Sequence, residues 1–326
     1  MFHEMKKPLI LQRADPHVYR HTDGFYYFTA SVPEFDKVIL RRSETIYGLA
    51  SAEEKTVWVR HDTGILSKNI WAPEIHYLFG KWYIYFAAAR NENGKKGHFD
   101  HRIYVLENES PNPLEGCFTE KGQVKTGLET FSLDATTFMH HGIQYLVWAQ
   151  RDPKIPGNSN LYIASMENPW TIAGAPVLLS KPEFDWECIG YLVNEGPAVL
   201  FHDGMINLTY SASATDHNYC MGLISIPQNA DLLKPENWSK SPVPVMVTCE
   251  KEGIFGPGHN SFTTDSQGND VLVYHARTTK ELAGDPLGDP NRHTFVKPVM
   301  YGPDHQPVFQ DCNVALPCYG GLCDTV

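Results

Sequence analysis

Apolar and polar positions along this chain alternate in short runs, and one arrangement of them recurs five times. A turn glycine is followed by an apolar-aromatic run that ends in small residues: GFYYFTAS from Gly24, GKWYIYFAAA from Gly80, GIQYLVWAQ from Gly142, GMINLTYSAS from Gly204 and GNDVLVYHAR from Gly268. The five glycines stand 56 to 64 residues apart. Each is preceded by a second run with strand character: DPHVYRHTDG, WAPEIHYLFG, DATTFMHHG, EGPAVLFHDG and HNSFTTDSQG. Runs of β-branched and aromatic residues between Gly, Pro, Asn and Asp punctuation predict strands joined by hairpin turns.

Between the hairpins lie further strand-like runs, KVILRRSETIYGL, HRIYVLENES, SNLYIASMEN and CMGLISIP. About four strands per unit of about 60 residues is the period of a propeller blade. No 3.6-residue apolar period of useful length interrupts the pattern, which excludes an alternating α/β arrangement. The expectation is an all-β protein, a five-bladed β-propeller forming a single domain over residues 1–326. The stretch 290–310, with a turn at Pro303-Asp304, is expected to supply the last strands and close the ring against the start of the chain.

A propeller brings the heads of its innermost strands to one rim of a central channel. Counting back eight or nine residues from each turn glycine gives Asp15, Trp71, Asp134, Glu195 and His259. Three of the five are carboxylates. Taken singly, each has an ordinary reading: Asp15 before Pro16 is a turn former, Asp134 caps a turn, and Glu195-Gly196-Pro197 is a solvated loop. Taken together at one register, they are like charges gathered at a narrow rim, a costly arrangement that a functional site requires.

Paired carboxyl groups beside aromatic walls point to glycoside hydrolysis, where one carboxyl protonates the leaving oxygen and another activates water. Glutamate has the longer reach, so Glu195 is expected to be the general acid. Asp134 would orient it and tune its pKa, and Asp15 across the funnel would be the base. Opposed blades would leave the roughly 6.5–9.5 Å that an inverting mechanism needs for water.

The residues that carry this reading also resemble those of a known family. Asp15 in ADP, Asp134 in SLDATTF and Glu195 in NEGP are similar, in order and context, to the triad of glycoside hydrolase family 43. WAPEI at 71–75 and GPGHNSF at 256–262 resemble that family's second- and fifth-blade motifs. The resemblance covers residues from about 8 to 310. It implies a five-bladed propeller, an inverting mechanism, and base, modulator and acid roles for Asp15, Asp134 and Glu195 in that order. YFTASVPEFDKVILRRSETIYGL, YHART and GDPLGDPNRHT look closest to exo-acting α-L-arabinofuranosidases that release terminal α-L-arabinofuranose from α-1,5-linked arabinan or arabino-oligosaccharides.

By the same resemblance Trp71 would floor the sugar site. Arg277 would bond the sugar, with a blade-edge ion pair as the alternative. His259 would sit on the channel axis beside a cation, often calcium, with a histidine bonded through water to Asp15 or Asp134 as the alternative. Calcium prefers oxygen ligands, and any such ion would be structural, since the chemistry needs no cofactor. His17 reads as structural. β-Xylosidase and endo-arabinanase are the neighbouring activities on this fold, and a non-catalytic carbohydrate-binding propeller is the reading from another class.

Charge and cysteines narrow partners and compartment. The formal charge of −11 argues against nucleic acid and anionic membranes as partners. The opening MFHEMKKPLILQRADPH lacks the apolar core of a secretory leader. The seven cysteines (Cys117, Cys188, Cys220, Cys249, Cys312, Cys318, Cys323) are odd in number and form no CxxC pair. Free thiols in a cytoplasmic protein are the expectation, or a secreted protein if a leader has been removed. Cys312, Cys318 and Cys323 cluster near the end of the chain, where a metal or a disulfide is the alternative to free thiols.

Overall fold

In the computed structural model, residues 6–91 and 100–310 are described. They form five antiparallel sheets around a central channel, a five-bladed β-propeller as expected. Blade 1 runs Ala14–Arg20, Tyr26–Ser31, Lys37–Ser43 and Lys55–Val59 from the channel outward. Blade 2 runs Gly64–Leu78, Lys81–Asn91, Arg102–Asn108 and Thr119–Gln123. Blade 3 has Ser132–His140, Ile143–Gln150 and Asn160–Asn168, the last pairing with both Thr171–Ile172 and Val177–Ser180. Blade 4 has Asn194–His202, Met205–Ala212, Cys220–Pro227 and Ser239–Lys240. Blade 5 has Phe255–Thr264, Asp270–Arg277 and His293–Pro298.

The second strands are apolar on both faces because each is sandwiched between two neighbouring blades. Side chains alternate sides along a strand. In Lys81–Asn91, Trp82, Ile84 and Phe86 therefore pack toward blade 1, against Tyr27, Val38 and Leu40. Tyr83 and Tyr85 turn the other way, onto Leu146 and Trp148 of blade 3. The next strand repeats the scheme, with Val147 joining Leu208 and Tyr210 of blade 4. Val271 and Val273 meet Phe28 of blade 1, while Leu272 and Tyr274 meet Leu200 and Met221 of blade 4. Five inter-blade cores thus close the ring. Each buried aliphatic or Phe side chain within them contributes about 1.5–3 kcal/mol.

Closure differs in detail from the expectation. His293–Pro298 is the third strand of blade 5, and the start of the chain pairs with it through Leu9 N–H to Thr294 O at 2.7 Å and Thr294 N–H to Ile10 O at 2.9 Å. Met300–Tyr301 and Pro307–Val308 instead form a separate two-stranded ribbon. Proline at 298 cannot donate to a continuing ladder, which ends the blade-5 strand there.

The free-thiol expectation holds for Cys117, Cys220 and Cys249 and fails at Cys188, which is disulfide-bonded. Cys312, Cys318 and Cys323 lie outside the described residues. A disulfide is disfavoured in a reducing cytoplasm, so the cytoplasmic expectation drawn from the cysteine count does not stand. Among the described residues no helix is long and apolar enough to cross a membrane.

Candidate active site

The heads of the five innermost strands share a backbone device. At the register of the cavity each carries a residue in the left-handed region: Asp15 (φ 54°), Ala72 (φ 45°), Asp134 (φ 53°), Gly196 (φ 53°) and His259 (φ 41°). The antiparallel register slips beside these residues, for example between Ala14 and His17 and between Glu195 and Ala198. A non-glycine residue held there costs about 1–3 kcal/mol, and such strain collects at functional sites. Asp15, Asp134 and His259 occupy equivalent positions, as the spacing predicted. Glu195 and Trp71 stand one residue earlier, before the left-handed residue rather than on it. A Cβ at Gly196 would lie 3.1 Å from the His259 ring, tighter than an ordinary contact, which disfavours a side chain there, and the carboxyl is carried by its neighbour.

Asp15, Trp71, Asp134, Glu195 and His259 all line one cavity of about 130 Å³. The heads are tied to one another across the blades. Ser31 donates to Asp15 Oδ2 at 2.6 Å and accepts the Ala72 N–H at 2.8 Å, joining blades 1 and 2. The Gly196 N–H donates to Asp134 Oδ2 at 3.1 Å, joining blades 3 and 4. The His259 N–H donates to Ser211 Oγ at 2.7 Å, and Ser261 donates to Pro16 O at 2.8 Å. These bonds hold the carboxylates in place before any ligand arrives.

The carboxyl groups sit in opposite electrostatic settings. Burial opposes the charge on Asp15, but His259, Arg292 and His275 outweigh it and hold its pKa well below the usual carboxylate range. Arg292 Nη1 and His259 Nδ1 each lie 3.3 Å from Asp15 Oδ1. His275 Nδ1 accepts the backbone N–H of Asp15 at 3.1 Å, and burial pushes that imidazole down to about 4. At Glu195 burial prevails, and its pKa is pushed up to about 7 with help from the Asp15 charge, against the opposing pull of Tyr219 and Arg292. Tyr219 donates to Glu195 Oε1 at 2.8 Å. Asp134 is raised by burial and then by the Glu195 and Asp15 charges. Asp15 is thus held as an anion, while the Asp134–Glu195 pair keeps a proton toward neutral pH.

Trp71 faces the cavity, stacked on His101 with ring centroids 3.9 Å apart and edge-on to Phe35 at 5.9 Å. Arg277 does not line the cavity. It is 2% exposed, paired with Asp289 at 2.7 Å and bonded to Pro286 O at 2.7 Å and Thr215 O at 3.3 Å. The ion-pair alternative describes it: Arg277 braces the 285–289 loop, whose Asp285, Pro286 and Leu287 form a cavity wall. The arginine at the cavity is Arg292, from the same GDPLGDPNRHT stretch. Arg292 and Tyr219 were missed because each sits in a loop where no period marks it. Arg151 and Asn158 also line the cavity. His259 Nδ1 lies 3.3 Å from Asp15 Oδ1 and 3.9 Å from Asp134 Oδ2.

The model of Glycosyl hydrolases family 43 matches residues 5–307. The chain belongs to glycosyl hydrolase family 43. This family 43 chain is 53% identical over 303 residues to the extracellular exo-α-(1→5)-L-arabinofuranosidase of Streptomyces avermitilis, covering 93% of this chain and 62% of that protein. The chain therefore spans less than two thirds of that relative's length. It is 55% identical over 282 residues to the protein of the same name from Streptomyces chartreusis, covering 86% of this chain and 85% of that one. Among solved structures, an α-L-arabinofuranosidase from Lactobacillus brevis superposes with a TM-score of 0.91 at 52% identity, covering 94% of this chain and 96% of that one.

Proposed function

We propose that this protein is an inverting exo-α-1,5-L-arabinofuranosidase that removes terminal arabinofuranose from arabinan or arabino-oligosaccharides. The observation that carries this reading is the opposed protonation of Asp15 and Glu195 across one small cavity. Glu195 gives its proton to the glycosidic oxygen as the C1–O bond breaks. Asp15 takes a proton from water as the water oxygen bonds to C1 from the opposite face. Asp134 is a positioning residue: it accepts the Gly196 N–H beside the acid, and the repulsion between its carboxyl and that of Glu195 keeps a proton on the pair. Trp71 offers an aromatic face for the sugar. A cavity of this size, walled by the 285–287 and 151–158 loops, supports release of a single terminal residue. Two relatives are named extracellular. With the disulfide at Cys188, this supports secretion.

A non-catalytic binding propeller would leave the strained, buried carboxylates without a use. The competing sugar preference is tested by comparing rates on an aryl α-L-arabinofuranoside and an aryl β-D-xyloside. Faster hydrolysis of the arabinofuranoside is expected; the reverse order would overturn the substrate assignment.

The pH profile carries a second expectation. The acid must be protonated, so kcat/KM falls as pH rises through about 7. The Tyr219 hydroxyl stabilises the Glu195 anion, and a hydrogen bond to a charged group of about 1.5–3 kcal/mol corresponds to one to two pH units. Tyr219→Phe removes it, so the alkaline limb moves upward by about one pH unit. A limb that stays in place or moves down would show that Glu195 is not the group being titrated.

A further inference from the structure

Two to five residues beyond the strand heads, the channel holds a second cluster of metal-ligating side chains. Blade 2 presents Glu74 and His76, two positions apart and therefore on the same face of the strand. Blade 1 presents His17 from the adjacent strand. All three are 7% exposed, and one ligand atom from each lies within 4.8 Å of the others. Glu74 Oε2 is 3.0 Å from His76 Nε2 and 3.7 Å from His17 Nε2. The two imidazole rings are 4.8 Å apart and tilted by 50°. His17 Nδ1 is buried without a hydrogen-bond partner. The cluster borders a channel cavity of about 370 Å³, also lined by Thr136, Thr137, Arg20 and Asp270.

We propose that His17, Glu74 and His76 form a binding site for a divalent transition metal of the zinc type, joining blades 1 and 2 inside the channel. Two imidazoles and one carboxylate suit zinc or cobalt, whereas calcium and magnesium select all-oxygen sets. The three protein ligands leave a fourth position open toward the cavity, where water completes the coordination. This is the one group of three such side chains among the described residues, and His259 is not part of it. The metal stabilises the ring and takes no part in hydrolysis, because the acid and the base act at the strand heads. The proposal stands independently of the sugar specificity.

The test is a titration of metal-stripped protein with ZnCl₂ and separately with CoCl₂, read by calorimetry, visible absorption and melting temperature. The expected result is one saturable site per chain, the absorption bands of a four- or five-coordinate imidazole-bound cobalt, and a higher Tm with either metal. His17→Ala and His76→Ala are each expected to weaken zinc binding by more than about 100-fold, beyond the loss typical of outer-shell partners. His259→Gln is expected to leave zinc binding unchanged. The absence of a saturable site in the wild-type chain would overturn the proposal whatever the variants do. Binding that survives both histidine changes, or that disappears in His259→Gln, would overturn it as well.

Discussion

Asp15→Asn lowers kcat by about 10²–10⁴-fold on every substrate, including aryl glycosides with good leaving groups. Asparagine is nearly isosteric and tolerates the left-handed backbone of position 15, and its amide oxygen keeps an acceptor for Arg292 while the bond from Ser31 to the other oxygen is lost, so the fold is kept. What is lost is the anion. Asp15 is the one carboxyl of the three that its surroundings hold ionised, and without it nothing draws a proton from the attacking water. Steady-state rates on arabino-oligosaccharide and on a dinitrophenyl arabinofuranoside check this. Retention of the aryl activity would remove Asp15 from the role of base.

Glu195→Gln separates the two substrates that Asp15→Asn affects alike. On arabino-oligosaccharide the sugar leaving group needs a proton, and the loss is about 10²–10⁴-fold. A dinitrophenolate leaves without one, so that rate falls far less. The asymmetry between substrates is the diagnostic, because a general loss of folding or binding would lower both together. Equal losses on both would contradict Glu195 as the proton donor. The Tyr219 hydroxyl, 2.8 Å from Oε1, still finds an acceptor in the glutamine amide oxygen.

The architecture was legible in the chain because a propeller repeats its physics. The alternation in GKWYIYFAAA maps onto two cores, Trp82 and Ile84 to one side and Tyr83 and Tyr85 to the other. The five turn glycines set the register that brings Asp15, Asp134 and His259 to equivalent left-handed positions. Glu195 comes from the same count only because that count admits eight or nine residues: the chain there places a glycine where the other carboxylates sit, and the carboxyl stands one residue earlier. Residues that act from loops left no such trace. Arg292 reaches Asp15 from a wall whose course is set by the buried Arg277–Asp289 pair, and a pair between an arginine and an aspartate 12 positions on has no period to reveal it. Cysteine counting misjudged Cys188 because an odd total does not preclude one bridge. His17 reads as structural and His76 goes unmarked in the chain, since both stand in ordinary strand positions until the fold sets them beside Glu74.

The central claim is that water reaches the anomeric carbon from the Asp15 side while Glu195 protonates the departing oxygen on the other. Proton NMR of the first-formed sugar, recorded before mutarotation, tests it most directly. An α-arabinofuranoside must yield β-arabinose first; α-arabinose as the initial product would contradict the assignment of Asp15 and Glu195.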